Sequence, residues 1–582
     1  MSFDDILHYI GACGLYQKRV YFLLCLFSVF HGMRMVVMVF LLYIPKHRCE
    51  IPGYQNDTFD VTSVDHQAVL NMSMPLSDSD SCFVYLPDNY TYDDHNQPVN
   101  ATRIKCSKWV YDQSVFFSTV ASQFNLVCDD SPQTSLTTMI FYSGFLAGTF
   151  VLGTASDILG RKVCLYVSLT LVTIMGTGLI FSNSFITFTI LNFFVGLATQ
   201  GIYPSAYVIG IELVGLSKRT NAGMITQLAF STGVVSLAGL AFLIRDWQYL
   251  LVAITAPLII FYFMWCFIPE SPRWQIQKGH YSKARKTVLK AARVNKKEVP
   301  DSVLNAILPH KDCEKEFMLA KDTVDNGGNV KDKSNENSKG RLTDLFKSRV
   351  LFTRSIIIFF NWFVISLTFY GLNFNTRNLG TGSIFLNLFL AGLVEFPAHL
   401  FTLFTVDRLG RKVVHCLMLS TSGVACLSCV VTTVFVSADY QWITTTLAMI
   451  GKFGAAGCFG VLFMYSSEVF PTVIRNSALG ISATWSRIGT ILAPFIAAQG
   501  VESSGGLGTS LPLLICGCLI ICAVMLNCLL PETLNKKLPE TLQDAQSFTN
   551  GSSSKKADPS NGDQVVLDVN KKLLVADRIT SC

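Results

Sequence analysis

Long apolar runs constrain this chain more than any other feature of its sequence. Half of its 582 residues are hydrophobic and only 15% are charged. A helix that crosses a bilayer needs about 20 mostly apolar residues, and twelve runs reach roughly that length. They lie at residues 20–43, 134–155, 163–182, 185–209, 222–244, 247–268, 352–373, 380–405, 413–436, 440–465, 476–497 and 508–530. The sequence therefore predicts an all-α membrane protein with twelve transmembrane helices.

Three short phrases recur in the same order in the two halves of the chain. The phrase D-x-L-G-R-K-V ends at Val163 and again at Val413, 250 residues later. PESPRW (269–274) follows the sixth run, and PETL (531–534) follows the twelfth, 262 residues later. A glutamate and an arginine seven residues apart follow the fourth run and, 256 residues later, the tenth. A duplication of six spans in one orientation explains all three, and it predicts the major facilitator architecture of two parallel six-helix halves around a central axis.

The duplication also divides the chain into regions. We expect a first half at 1–269 that includes a large loop at 44–133, a connecting loop at 270–350, a second half at 351–531 and a disordered polar tail at 532–582. The connecting loop contains a basic stretch at about 281–294 whose spacing is that of an amphipathic helix.

The repeated charges form two matching clusters at one end of the helices. Opposite charges at helix ends can hold the halves together on one side of the membrane and must separate when that side opens. The alternative is that they only set the topology and solvate the helix ends. The predicted gate residues are Asp157, Arg161, Glu212, Arg219, Asp407, Arg411, Glu468 and Arg475.

The distribution of lysine and arginine predicts the orientation. Short loops after the second, fourth, eighth and tenth runs carry them, whereas the opposite short loops carry little beyond Arg245 and Arg377. Positive residues stay on the cytoplasmic side. We therefore expect both termini and the 270–350 loop in the cytoplasm, and the 44–133 loop outside.

The composition of the 44–133 loop agrees with an external location. It contains four cysteines and four glycosylation sequons, both of which belong to the secretory side of a membrane. Four cysteines can pair in three ways, and the sequence does not choose among them. The predicted disulfide cysteines are Cys49, Cys82, Cys106 and Cys128, and the predicted glycosylation sites are Asn56, Asn71, Asn89 and Asn100.

Several stretches resemble the organic cation, carnitine and organic anion transporters of solute carrier family 22. They are YDQSVFFSTVASQFNLVCD (111–129), ASDILGRK, PESPRW, NLGTGSIFLNLFLAGLVEFPAH (378–399), VDRLGRK and SSEVFPTVIRNSALG (466–480). The resemblance covers the chain except its far tail, and it implies a plasma-membrane carrier of organic ions. This chain differs from the family pattern in having Ile158 where an arginine is usual, and four loop cysteines where relatives usually have six.

Charged residues within the spans are the candidate substrate ligands, because burying a charge in a bilayer is costly and usually functional. Arg487 lies in the middle of the eleventh run, Glu395 and His399 lie one turn apart in the eighth, and Arg34 lies in the first. Lys452 lies in a glycine-rich stretch of the tenth run, which predicts a structural role in close helix packing.

These groups suit a zwitterion such as carnitine. Aromatic faces and a carboxylate hold a quaternary ammonium, and Trp362, Tyr370 and Glu395 could supply them. A guanidinium matches a carboxylate, and Arg487 could supply it. The family resemblance favours the carnitine branch too, because cation-selective members typically carry Asp at the Arg487 position, whereas anion and carnitine members carry Arg. Many anion members also carry Lys at the His399 position.

Other interpretations of the same residues remain open. Glu395 and Arg487 can pair with each other without touching substrate, and aromatic residues at helical spacing are usually packing. His399 can be satisfied by a neighbour, and Arg34 can extend toward the outer water.

The sequence lacks the signatures of an enzyme. It has no phosphate-binding loop, no HExxH and no GxSxG, so we expect no cofactor and no ATP-driven step. Na⁺ or H⁺ is a possible coupled ion, with His399 as the candidate proton carrier. The net charge of +6 is too small and dispersed for nucleic acid. The alternatives to a carrier of zwitterions and cations are an organic anion carrier and a non-transporting receptor that binds ligand through its outer loop.

Overall fold

Helices occupy all twelve predicted runs in the computed structural model of the chain, and only the sixth run is divided between two short ones. Residues 3–308 and 348–536 are described, together with 539, 544 and 546, apart from gaps at 52–53, 55–56, 62, 74–80, 86–90, 93–97, 100–102, 216–217, 379–382, 437–439, 472–473 and 503–505. Within these residues, eleven helical segments are long and apolar enough to cross a membrane. A further helix, Arg475–Glu502, is 28 residues long and carries Arg487 near its middle.

In chain order the helices are α1 (Phe3–Tyr9), α2 (Leu15–Val36), α3 (Met38–Leu41), α4 (Val64–Ser73), α5 (Val120–Gln123), α6 (Pro132–Leu159), α7 (Arg161–Ile180), α8 (Phe185–Leu213), α9 (Arg219–Leu243), α10 (Trp247–Thr255), α11 (Leu258–Phe263), α12 (Pro272–Gln277), α13 (Tyr281–Asn295), α14 (Asp301–Ile307), α15 (Arg349–Phe374), α16 (Ile384–Leu409), α17 (Arg411–Phe435), α18 (Gln441–Val469), α19 (Arg475–Glu502) and α20 (Gly506–Asn527). Short 3₁₀ turns lie at Cys128–Asp130, Met264–Cys266 and Asn375–Asn378. The first half contains α2 with α3, α6, α7, α8, α9, and α10 with α11; the second half contains α15 to α20.

The observed helices differ from the predicted runs mainly at their ends. Helix α8 continues four residues past its apolar run, to Leu213, and α18 continues to Val469. Helical hydrogen bonding does not stop where hydropathy falls, so polar residues extend the helices beyond the apolar runs. The sixth span is interrupted between α10 and α11 at Pro257, which has no N–H to continue the ladder. The predicted basic helix is confirmed as α13.

The described residues of the 44–133 loop form three antiparallel strand pairs. The strands are β1 (His47–Cys49), β2 (Phe83–Tyr85), β3 (Thr91–Tyr92), β4 (Pro98–Val99), β5 (Arg103–Lys105) and β6 (Trp109–Tyr111), paired β1 with β6, β2 with β5 and β3 with β4. Of the three possible disulfide pairings, the structure has Cys49–Cys106 and Cys82–Cys128. Asn71 lies on α4, whereas Asn56, Asn89 and Asn100 lie outside the described residues.

A buried carboxylate organises the start of this loop. The two oxygens of Asp57 accept hydrogen bonds from the Arg48 guanidinium at 2.8 and 2.5 Å, and one of them lies 3.0 Å from Nε2 of His66. Burial alone would raise the pKa of Asp57, but the hydrogen bonds from Arg48 and from the Ile51 N–H hold it below its ordinary value. The stabilisation from this carboxylate is therefore present at neutral pH and is lost as the pH falls through the lowered pKa.

We predict that Asp57→Asn destabilises the folded loop by about 3–5 kcal/mol, because it leaves the Arg48 guanidinium without its charged partner. Thermal unfolding of the purified protein at neutral pH measures the loss. Asp60→Asn, at an exposed position three residues away, is the matched control and should have no effect. Equal thermal stability of both variants would contradict this role for Asp57.

Candidate substrate site and charged end

The two ends of the helix bundle are distinguished by what they carry. The loop end carries the 44–133 loop, and the charged end carries the two repeated charge clusters. The candidate substrate ligands lie between these ends, on the helices that line the boundary of the two halves.

Glu395 on α16 is fully buried and is held by two partners. The Lys452 ammonium on α18 lies 3.0 Å from Oε1, and the Ser231 hydroxyl on α9 donates to Oε2 at 2.7 Å. The Lys452 ammonium also donates to the Phe369 carbonyl at 3.3 Å and lies 3.1 Å from the centre of the Phe369 ring. Because Ser231 belongs to the first half, this hydrogen bond joins the two halves in the interior of the protein.

This arrangement changes the interpretation of two predicted residues. The alternative in which Glu395 pairs with Arg487 is not what the structure has, because the charged partner of Glu395 is Lys452. Lys452 itself was the signal for this pair in the sequence, because a lysine buried inside a span is costly and indicates a partner. The glycines around Lys452 instead directed the prediction toward helix packing.

Arg487 on α19 lies in an aromatic environment that both halves supply. Its guanidinium carbon is 5.6 Å from the centre of the Phe145 ring, and the phenols of Tyr142, Tyr203 and Tyr370 are its polar neighbours. Among the residues that the structure describes, no carboxylate forms an ion pair with it. The residue is only partly buried. Arg487 is therefore a positive charge that remains free to bind a carboxylate.

His31 on α2 lies against the same aromatic side chains as Arg487. It was not among the ligands predicted from the sequence. Its ring stacks on Tyr203 at 4.8 Å and lies 5.9 Å from the Phe145 ring. Its Nδ1 has no hydrogen-bond partner among the described residues. An ionisable histidine inside an apolar run is costly for the same reason as the charged candidates. Selecting ionisable residues within the runs would therefore have identified His31 as well.

The other predicted ligands occupy different positions. Tyr370 is part of the Arg487 environment, with its ring 5.7 Å from that of Tyr142. Trp362 instead donates to the Ser466 hydroxyl at 3.0 Å and packs against Phe459 at 5.9 Å. Trp362 and Tyr370 therefore have different neighbours, and a shared role for them in substrate binding stays a prediction.

His399 and Arg34 are also apart from Arg487. His399 lies close to Gly460 on α18, where a Cβ atom would be 3.7 Å from its Nδ1, and to the Glu395–Lys452 pair. Arg34 is buried within the first half, against Gly176 on α7.

The repeated phrases of the sequence converge in space at the charged end. Glu270 accepts hydrogen bonds from the backbone N–H groups of Arg161 at 3.0 Å and Lys162 at 3.1 Å, at the start of α7. A carboxylate here satisfies free N–H groups and is stabilised by the positive end of the helix dipole. The preceding Gly160 has φ +108°, and a Cβ atom on it would lie 2.4 Å from the Glu270 carboxylate. Both the backbone angle and the carboxylate therefore require glycine.

The second half repeats this arrangement. Glu532 accepts from the N–H groups of Arg411 at 3.0 Å and Lys412 at 3.1 Å, and Gly410 has φ +101°. Thr533 donates to Glu468 at 2.5 Å, and its counterpart in the first half is a hydrogen bond from the Ser271 hydroxyl to Glu212. These phrases are recognisable in the sequence as repeats, but the roles of Glu270 and Glu532 become apparent only in the structure.

The ion pairs that Arg161 and Arg411 of the predicted gate form with described residues join groups within one half. Arg161 lies 3.0 Å from Asp157, and Arg411 lies 3.1 Å from both Asp407 and Glu468. Arg475 donates to the Phe470 carbonyl at 3.3 Å. These contacts stabilise the helix ends of each half, so a latch between the halves stays a prediction.

Contact between the halves at the loop end is aromatic. The Phe385 ring of the second half lies 5.7 Å from Phe40, 5.1 Å from Phe116 and 5.8 Å from Phe242, all of the first half. The halves are therefore packed together at the loop end, while these ion pairs of the charged end stay inside each half.

We predict that Glu270→Gln and Glu532→Gln each destabilise the protein by about 1–2 kcal/mol, because each removes a charge from the start of a helix. Thermal unfolding of the purified variants measures the effect, and the exposed Glu298→Gln is the control. Similar losses for the two variants are expected from the repeated geometry. A loss in one variant only would contradict equivalent roles for the two glutamates.

Comparison with known proteins agrees with this fold. Residues 76–544 match the family model described as sugar (and other) transporter. The partially occluded inward-open structure of the xylose transporter XylE from E. coli superposes with a TM-score of 0.56, at 15% identity, covering 90% of this chain and 100% of that one. The predicted major facilitator fold is therefore confirmed.

Relatives define the family more closely. The chain is 36% identical over 551 residues to the organic cation transporter protein of Drosophila melanogaster, covering 94% of this chain and 95% of that protein. It is 31% identical to solute carrier family 22 member 21 of Mus musculus, covering 94% and 93%. It is 30% identical to organic cation/carnitine transporter 2 of Homo sapiens, covering 93% of each. This multi-pass membrane protein belongs to solute carrier family 22 and is a transporter of organic ions, not an enzyme.

Proposed function

We propose that this protein carries small carboxylate-bearing organic ions across the plasma membrane by alternating access, with carnitine and related zwitterions as its leading substrates. The observation that supports this most is Arg487, a partly buried residue whose guanidinium has aromatic neighbours and no carboxylate paired with it among the described residues. A substrate carboxylate would supply the missing charge through two parallel N–H···O bonds.

The charges at this level favour a substrate with a negative group. Glu395 is neutralised by Lys452, so the two together contribute no net charge, and Arg487 contributes one positive charge. A bare organic cation would therefore meet a positive site. It could use Glu395 only if that carboxylate separated from Lys452.

The aromatic side chains around Arg487 suit the other end of a zwitterion. The ring of Tyr142 lies 5.7 Å from that of Tyr370 and 5.9 Å from that of Phe145. A quaternary ammonium has no N–H to donate and is stabilised by such ring faces. One of the relatives is named for carnitine, which agrees with this substrate class.

An organic anion carrier is the second candidate. The unbalanced positive charge of Arg487 favours it, because a simple carboxylate would neutralise the site without needing an ammonium subsite. The aromatic environment is what favours the zwitterion over the anion.

The geometry supports a specific interface for alternating access. Phe385 packs the two halves together at the loop end. The hydrogen bond from Ser231 to Glu395 joins the halves between the loop end and the charged end. Opening the loop end requires both contacts to separate. The positive-inside pattern and the disulfide-bonded loop support an orientation with the loop outside and both termini in the cytoplasm.

The driving force follows from the substrate's charge. A zwitterion gains nothing from the membrane potential, so its accumulation needs a coupled ion such as Na⁺ or H⁺. His399, buried beside Glu395 and Lys452, stays the candidate proton carrier.

We predict that Arg487→Asp reduces carnitine uptake at least about tenfold, because the substituted carboxylate repels that of the substrate. Uptake of labelled carnitine, tetraethylammonium and para-aminohippurate in one cell line measures the effect, with surface biotinylation to normalise expression. Tetraethylammonium uptake should be unchanged or increased, and para-aminohippurate uptake, if present, should fall with carnitine.

The matched control is Arg293→Asp, at an exposed position on α13, which should leave all three uptake rates unchanged. Arg487→Lys should retain part of the carnitine uptake, since it keeps the charge and loses the planar fork. Normal carnitine uptake by Arg487→Asp would refute the assignment of Arg487.

We further predict that Lys452→Met increases tetraethylammonium uptake relative to carnitine, because it leaves Glu395 available to a cation. The double variant Glu395→Gln with Lys452→Met, which has no charge at the pair, should return the ratio toward that of the unmodified protein. If the ratio does not change in the single variant at normal surface expression, Lys452 does not set the charge preference.

A further inference from the structure

One arginine is buried inside the first half, whereas Arg487 belongs to the second half. Arg34 on α2 has none of its surface exposed, and its Nε, Nη1 and Nη2 atoms have no hydrogen-bond partner among the described residues. An ionised guanidinium left unpaired in a protein interior within a bilayer costs several kcal/mol. Such a group needs a compensating negative charge.

The surroundings of Arg34 bring a second unpartnered donor to the same place. A Cβ atom on Gly176 of α7 would lie 2.6 Å from Nη2 of Arg34 and 3.5 Å from the hydroxyl oxygen of Thr255 on α10. The Thr255 hydroxyl is buried and also has no partner among the described residues. The Arg34 guanidinium of α2 and the Thr255 hydroxyl of α10 thus come together beside Gly176 of α7, which has no side chain.

The duplicated architecture supplies an internal comparison. Helices α7 and α17 both begin after the repeated glycine, so Gly176 occupies the register that Cys426 occupies in the second half. Cys426 is buried in an apolar cluster with Leu372, Ala448 and Leu513. The second half therefore fills this interior position with neutral side chains, whereas the first half places a cation there.

We propose that the interior of the first half binds a small inorganic anion of the size of chloride, held by the guanidinium of Arg34 and the hydroxyl of Thr255 above Gly176. The anion neutralises the buried charge and ties α2, α7 and α10 together. Complete burial limits the ligand to a small ion rather than an organic substrate. The inference does not rest on the proposed substrate, because Arg487 and its aromatic neighbours take no part in the site.

Thermal unfolding of the purified protein tests the proposal, with chloride replaced by gluconate at constant ionic strength. We expect the Tm to fall by about 2–4 °C without chloride, since a ligand that binds only the folded state stabilises it. Arg34→Met should abolish this dependence on chloride. Thr255→Val should weaken it, and Gly176→Ala should abolish it because the added methyl group displaces the guanidinium.

Two control variants locate the effect. Gly178→Ala, on the same helix, faces Leu191 and should keep the dependence on chloride. Arg487→Met should keep it too, and its loss in that variant would move the anion to the substrate site and overturn the proposal. If Arg34→Met does not fold, the comparison of Gly176→Ala with Gly178→Ala decides the question.

Anomalous diffraction from bromide-containing crystals gives an independent readout. A bromide peak within hydrogen-bonding distance of the Arg34 guanidinium supports the site. A Tm that is independent of chloride in the unmodified protein overturns the proposal, as does a peak elsewhere. Stabilisation by carnitine but not by chloride that requires Arg34 would make Arg34 part of the substrate site and would also overturn it.

Discussion

The cost of an unpaired charge in a low-dielectric interior determines where the ionised side chains of this transporter lie and what they do. Glu395 is satisfied by Lys452 and by the Ser231 hydroxyl, so its charge is used inside the protein. Arg487 has aromatic and phenolic neighbours instead of a carboxylate, so its charge is available to a ligand. We propose that this difference between a buried ion pair and a partly buried, unpaired arginine gives the transporter a preference for a negative group on the substrate.

The hydrogen bond between Ser231 and Glu395 is the contact through which we propose that substrate recognition is coupled to movement. It is a contact between the halves close to the charged pair, and the aromatic packing around Phe385 is a second contact at the loop end. A ligand that changes the partners of Glu395 would change how strongly the halves are joined. The charged end differs, because Glu270 and Glu532 secure the start of one helix in each half.

The sequence predicted the features that depend on position along a helix. Apolar length predicted the twelve spans, and the repeated phrases predicted two equivalent halves. In each half the repeated glycine, Gly160 or Gly410, precedes a helix whose first N–H groups donate to a glutamate. It could not predict features that depend on which helices are neighbours. The partner of Glu395, the different neighbours of Trp362 and Tyr370 and the disulfide pairing all follow from tertiary packing, which a single sequence does not encode in a readable form.

The central claim is that the Arg487 site binds the carboxylate of a zwitterion, and changing that group on the ligand tests it most directly. Equilibrium binding to the purified, unmodified transporter should be compared for carnitine and for its carboxamide, which has the same shape and no negative charge. The account predicts that the carboxamide binds about 10- to 100-fold more weakly, as expected for loss of a charge-assisted hydrogen-bonded pair. Equal affinity of the two ligands would contradict it.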